Sequence, residues 1–96
     1  MFNEELQNNI ELNILKKSGI IDHILNKPSE KRCKIKCCNL RDHLEFLHQR
    51  MSPRQVYKAL ANIVERGGGK KSEVSYDGKR IDISPKAVDI IKGSYS

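Results

Sequence analysis

The sequence predicts a mostly helical α+β domain, and three features carry that expectation. Ser52-Pro53 and Ser84-Pro85 each open a helix-like segment with a capping serine and a proline at the first helical position. Alternating apolar residues flank Asp77-Gly78, a strong β-hairpin signal. Between Phe2 and Lys27 apolar residues recur at helical spacing. At 96 residues the chain has room for one domain, residues 1–96, with a single modest core.

The first segment places Leu6, Ile10, Ile14, Ile21 and Leu25 on one helical face. Ser18-Gly19 interrupts it. Glycine costs about 1 kcal/mol inside a helix, so a kink or two consecutive helices is expected. Lys27-Pro28-Ser29 ends the run, because the residue before proline avoids helical backbone. Next, Cys33, Ile35 and Cys37 alternate with Arg32, Lys34 and Lys36, the pattern of a half-buried strand. Its partners are expected in the C-terminal hairpin, and its cysteines read as small core residues.

Asn39 is placed to cap a helix that buries Leu40, Leu44 and Leu47 and ends near Gln49-Arg50. His43 borders that stripe and His48 lies further round. After the break at Met51-Ser52-Pro53, a second helix is expected from Pro53 to Arg66, with Gln55 completing a capping box. Val56, Ala59, Leu60 and Ile63 share its apolar face, with Val64 at the margin. Arg54, Lys58, Ala61, Asn62 and Glu65 share the opposite face, Gln55 lies beside them, and Tyr57 falls on the border. Gly67-Gly68-Gly69 stops this helix. No helix begins after the glycines, so the order is wrong for a phosphate loop.

Lys70-Lys71 leads into the hairpin. A two-residue Asp77-Gly78 turn would set Tyr76 opposite Lys79, Ser75 opposite Arg80 and Val74 opposite Ile81. Val74, Ile81 and Ile83 then cover the core, while Ser75, Arg80 and Asp82 face solvent. A last helix is expected from Pro85 to Lys92, with Val88 and Ile91 as its apolar edge and Gly93 as its stop.

In this order, the helix pair around Met51-Ser52-Pro53, the segment from Val56 to Gly67 and the hairpin from Tyr76 to Pro85 resemble the winged helix-turn-helix family. Leu60, Ile63 and Gly67 match the family's Leu-x-x-Leu-x-x-x-Gly-like recognition-helix ending. The likeness covers residues 10–93 by pattern and is similar to small basic proteins of archaea and their viruses and plasmids. The departure is the N-terminal segment, residues 1–18, which reads as a helical extension or a dimerisation segment.

The resemblance implies sequence-specific binding of double-stranded DNA by a homodimeric transcriptional regulator. The helix from Pro53 would enter the major groove N-terminus first. Arg54 and Gln55 would then lie nearest base edges, where arginine reads guanine and glutamine reads adenine. Lys58 and Asn62 would touch a base or phosphate, Ser52 would hold a phosphate at the helix start, and Tyr57 would reach one from the border. In the wing, Lys79 and Arg80 would contact the flanking backbone or minor groove, with Lys70 and Lys71 behind them. The plain alternative is that any exposed helix of a basic protein shows such a face. Dimerisation is expected through Leu6, Ile10 and Ile14, joined by Val88 and Ile91; otherwise these residues close the monomer core.

The formal net charge of +6 fits a polyanionic partner or a solubilising surface. A protein-interaction module of the same fold, within a replication, transcription or RNA-processing complex, is the competing expectation. Glu65 on the candidate DNA face leans that way, since it would repel a phosphate. No paired carboxylates, nucleophile motif or phosphate loop points to an enzyme. Cys33, Cys37 and Cys38 with His43 and His48 match no zinc spacing, so no metal or other cofactor is expected. An intersubunit disulfide stays open. No small-molecule effector is evident. No apolar run approaches the ~20 residues of a membrane span, and the acidic, polar start lacks a signal-peptide pattern. The expected location is the cytoplasm, that of the host if the chain is viral.

Overall fold

The computed structural model describes residues 4–28, 30–37, 40, 44–46 and 49–95, and of the side chains at 4–8, 44–46 and 49–51 nothing is stated. Helix α1 (Glu4–Ser18) is followed at once by α2 (Ile20–Leu25). The division falls where the sequence places it. Gly19 takes a left-handed conformation, φ 80°, which costs glycine little and other residues more. Ser18 makes the break tolerable inside the protein. Its fully buried hydroxyl donates to the Leu15 carbonyl at 2.7 Å and accepts from the Ile20 amide at 3.2 Å. Two backbone groups freed by the bend are thereby partnered.

The buried line of α1 differs from the expected one. Glu11, Leu15 and Ser18 lie inward, at helical spacing, whereas Ile10 and Ile14 are only half-buried. Ile21 is buried as expected, but Leu25 is 46% exposed. Polarity scoring misses this line because its first member is a carboxylate, admitted to the interior by a specific partner on a later helix.

Strand β1 (Cys33–Lys36) alternates buried and exposed residues, with Cys33 and Ile35 inward. Burial pushes the Cys33 thiol up, Lys27 draws it partly back and Asp82 adds to the rise, the setting of a structural rather than a reactive cysteine. Cys37 follows, half-exposed.

The helix expected from Asn39 to Arg50 is not formed. Strands β2 (Leu44–Phe46) and β3 (Gln49–Met51) occupy that stretch as an antiparallel pair, with Leu44 opposite Met51, Glu45 opposite Arg50 and Phe46 opposite Gln49. Leu40 is buried, but Asn39, Leu47, His43, His48 and Cys38 lie outside the described residues. The helical reading rested on three leucines in a short run. Such a run fits period two as well as it fits period 3.6, and the alternation Leu44-Glu45-Phe46 supplies the strand.

Helix α3 (Pro53–Arg66) forms with the expected start and end. Ser52 caps it, and Pro53, which has no amide hydrogen to lose, occupies the first turn. Val56, Ala59, Leu60, Ile63 and Val64 are buried. Ala61, expected on the outward face, is buried as well, at 4% exposure. Its small side chain lets the apolar face of α3 extend further round toward the hairpin.

A 3-10 turn over Lys71–Glu73 leads into β4 (Val74–Tyr76), which pairs with β5 (Arg80–Ile83). The three-stranded antiparallel sheet has the order β1-β5-β4. The pairing is Val74 with Ile83, Ser75 with Asp82 and Tyr76 with Ile81, two residues along from the expected register. Asp77 N–H bonds to the Arg80 carbonyl at 3.4 Å, so Gly78 and Lys79 form the turn, with Gly78 at φ 89°. A positive φ at the first turn position suits glycine there. A slip of two preserves faces; Val74, Ile81 and Ile83 still point into the core.

Helix α4 (Pro85–Ser94) is capped by Ser84, whose hydroxyl accepts from the Ala87 amide, and it runs past Gly93. Val88 and Ile91 are fully buried within the chain. They close the monomer core, and neither offers a surface to a second subunit. The Tyr95 hydroxyl donates to the Leu12 carbonyl at 2.6 Å, and burial pushes its ionisation far up. The Lys92 ammonium donates to the Lys27 carbonyl. Together they tie the end of α4 to α1 and to the segment that follows α2. No helix among the described residues is long and apolar enough to cross a membrane.

The glycine run after α3 is a packing device as well as a stop. A Cβ on Gly67 would collide with Ile90 of α4, and one on Gly69 would lie 2.7 Å from Val64 Cγ1 and 2.8 Å from Ile90 Cδ1. Gly67→Ala should therefore lower the urea midpoint, by about 1–3 kcal/mol of overpacking. Gly93 lies in a helix with open space around it. There alanine should raise the midpoint, by up to about 1 kcal/mol. Equal effects at the two positions would refute the assignment of Gly67 to close packing.

Candidate nucleic-acid interface

The start of α3 is closed by a reciprocal capping box. Ser52 Oγ accepts from the Gln55 amide at 3.4 Å, and Gln55 Oε1 accepts from the Ser52 amide at 2.7 Å. Both residues are exposed. The bonding changes what Gln55 can offer: bidentate reading of adenine needs the side-chain oxygen as well as the nitrogen, and the oxygen is committed to the helix start.

Asn62 is also occupied, further along α3. Its Nδ2 donates to Glu11 Oε1 at 3.3 Å, on the side facing α1. Arg66, one turn later, grips the same carboxylate with two bonds of 2.9 and 3.2 Å. The Glu11 side chain is 4% exposed and that of Arg66 35%. Charged bidentate bonds of this kind are among the stronger ones available to a protein. This network is not legible in the sequence, since nothing in local spacing relates residue 11 to residues 62 and 66.

Arg54 and Lys58 are the α3 cations left outward, both exposed. With Tyr57, Ala61, Asn62 and Lys71 they line a shallow depression between the helix and the segment leading into β4. Lys71 also lies 4.0 Å from Glu65, with both side chains more than half exposed. Such a pair contributes little to stability, but it offsets the one carboxylate on this side of α3. Lys70 is exposed nearby, and its amide bonds to Glu73 Oε2 at 3.3 Å.

The hairpin is joined to α3 by an aromatic contact. The Tyr57 and Tyr76 rings stack with centroids 5.7 Å apart and planes 25° from parallel, within the range where aromatic pairs attract beyond their area burial. At the tip, Asp77 Oδ1 accepts from the Lys79 amide at 2.8 Å and the Arg80 amide at 2.9 Å. Those backbone bonds, Arg80 first, hold the Asp77 carboxyl below the usual carboxylate range. Lys79 and Arg80 are both exposed at this fixed tip.

Arg54, Lys58 and Lys71 thus come together at one depression, and Lys79 and Arg80 at the tip. Gln55 and Asn62 are drawn into structural bonds. Of the expected dimer residues, Ile10 and Ile14 keep partly exposed side chains, and the Leu6 side chain lies outside the described ones. Compared with known proteins, the chain matches no family model, no curated protein and no solved structure.

Arg66→Ala leaves the Glu11 carboxylate buried with a weakened set of partners. A loss of about 2 kcal/mol in equilibrium unfolding is expected, below the figure for a fully buried pair because Arg66 is partly solvated. An unchanged midpoint would remove the network from the stabilising interactions. For the tip, a depressed carboxyl favours the folded hairpin above the ordinary carboxylate range, and that contribution fades as pH falls through the lowered value. Protection of the Lys79 and Arg80 amides, taken relative to the intrinsic exchange rate at each pH, should fall on that descent, and in Asp77→Ala it should already be low above the carboxylate range. Exchange insensitive to both changes would show that the turn does not depend on Asp77.

Proposed function

We propose that this chain is a winged-helix protein that binds double-stranded DNA. Helix α3 enters the major groove, and the β4–β5 hairpin acts as the wing on flanking phosphates. The observation that carries the reading is the outward pair Arg54 and Lys58 on a capped helix, joined through the Tyr57–Tyr76 stack to a hairpin tipped by Lys79 and Arg80. A duplex presents base edges in a groove that admits one helix, with phosphates on either side. Arg54, in the first turn, is the best placed to read a guanine; Lys58, Lys71, Lys79 and Arg80 serve the backbone.

The sheet order β1-β5-β4 and the capped helix before the hairpin support the winged-helix reading. The β2–β3 pair stands where that family carries its first turn-forming helix, and it would have to supply the support that helix gives. One small module buries only about 600–1,000 Å² on DNA, which favours action as a homodimer on two half-sites. The half-buried Ile10 and Ile14 of α1 are the residues on which such pairing would rest. Regulation of transcription in the cytoplasm is the role this reading assigns.

A second reading is a winged-helix module that holds a protein partner. It gains from the structural commitments of Gln55 and Asn62, which leave few side chains to discriminate bases.

Selection from a random duplex pool should yield a short common site, bound less tightly as salt rises because lysine and arginine displace counterions. Arg54→Ala with Lys58→Ala should weaken the selected site by about 1–3 kcal/mol for the lost base contact and lower the salt slope by about 1 for the lost phosphate contact. The melting curve should keep its shape. Unchanged affinity in the double variant would remove α3 from the interface, and a flat competition curve among duplexes would favour the protein-partner reading.

A further inference from the structure

The outer face of the three-stranded sheet carries a charge pattern that neither α3 nor the hairpin tip accounts for. Along β1, Lys34 and Lys36 point outward while Cys33 and Ile35 point inward. Their register partners on β5 are Asp82 and Arg80. Lys36 and Arg80 therefore oppose each other on one face, a like-charge rung that destabilises an antiparallel pair. The one carboxylate on β5's outer face is engaged elsewhere: Asp82 Oδ1 takes a 2.8 Å bond from Arg32 Nη1. Asp77, across the turn from Arg80, spends Oδ1 on the amides of the turn. Among the described residues, neither Lys34 nor Lys36 has an ion-pair partner, and both are exposed.

The placement of this rung matters more than its charge. β1 is the edge strand beside β5, and Lys36 stands at the end of β1 nearest the hairpin tip, where the Cys37 amide bonds to the Lys79 carbonyl at 2.8 Å. Adjacent strands lie about 4.8 Å apart. A phosphate chain that touches Lys79 and Arg80 at the tip meets Lys36 one strand further on, and then Lys34. Residues two apart on a strand are about 6.8 Å apart, close to the spacing of successive phosphates along one strand of a duplex. The sequence shows the alternation of β1 but not its position next to the tip, because the pairing with β5 joins residues far apart in the chain.

We infer that the outer face of β1 and β5, through Lys34, Lys36 and Arg80, is a second phosphate-contact surface that carries the DNA flank beyond the hairpin tip and around the edge of the sheet. The inference rests on the proposed DNA-binding reading. It assigns the like-charge rung a compensating partner, a polyanion whose phosphates lie across both cations. It also requires the flank to bend past the tip and round the edge at β1, since α3 packs against the buried face near β4, whereas Lys34 and Lys36 stand on the opposite face of the far edge strand.

The test uses the full chain and the duplex selected as above, lengthened by one helical turn on each side. In Lys34→Ala with Lys36→Ala, the salt slope should fall by about 2, one unit for each lost phosphate contact. Hydroxyl-radical protection of the outer flank should disappear, and the preferred sequence should stay the same. The shortened duplex should bind wild type and variant with nearly equal affinity. A melting temperature at or above that of wild type confirms that the fold is intact, since the variant removes a repulsive rung. An unchanged slope and footprint, with the expected weakening in the Arg54→Ala, Lys58→Ala protein, would overturn the sheet-face inference and leave the α3 reading standing. Absence of duplex binding by the wild-type chain would overturn both.

Discussion

The carboxylate of Glu11, buried between the first helix and α3, is the contact on which the arrangement of the cationic surface depends. It engages Arg66 through two bonds and Asn62 through a third, so one acidic group fixes the distal half of α3 at two points one turn apart. The apolar face of α3 defines depth in the core but permits rolling about the helix axis; an ionic clasp on one flank does not. With that flank turned to α1, Arg54 and Lys58 remain outward. Desolvating an acid is expensive unless its lone pairs are met, and here α3 supplies both Arg66 and Asn62 to meet them. The fold thus uses a polar group where an apolar one would give equal burial and less orientation.

The opposite flank is held by different means. Tyr57 and Tyr76 stack across the gap between α3 and β4, Ala61 sinks in beside them, and the glycines after Arg66 let Ile90 approach closely enough to lock α4 against the helix end. The sheet adds breadth: β5 lies between β1 and β4, so the hairpin is braced on one side by the chain's first strand rather than projecting as an isolated ribbon. Two-stranded hairpins are marginal alone in water, and a charged tip needs that bracing if it is to be presented in one orientation.

Much of this was legible from residue order. The capping box at Ser52 and Gln55, the proline starts, the break at Gly19 and the alternation of β1 all follow from local chemistry that acts over a few residues. Hairpin faces were also legible, because the error in register was even and left parity intact. The segment before α3 was not: three leucines in a short stretch satisfy both periods, and no local rule chooses between them. Glu11 escaped for another reason. Its burial is decided by partners about fifty residues away, and a charged residue scores as exposed until those partners are known. The cationic residues at the candidate interface were readable by type and helical position. Which of them had prior structural engagements was not.

Gln55 illustrates how such engagement narrows a surface's freedom to change. Its side chain holds the first turn of α3 in place, so on the proposed DNA-binding reading any replacement chosen to alter base preference at that position also alters the helix's own beginning. Retargeting by substitution would be confined to Arg54 and Lys58, which carry no comparable scaffolding duty. Variation accumulating in relatives of this chain would then be expected to spare position 55 even where the recognised site had drifted.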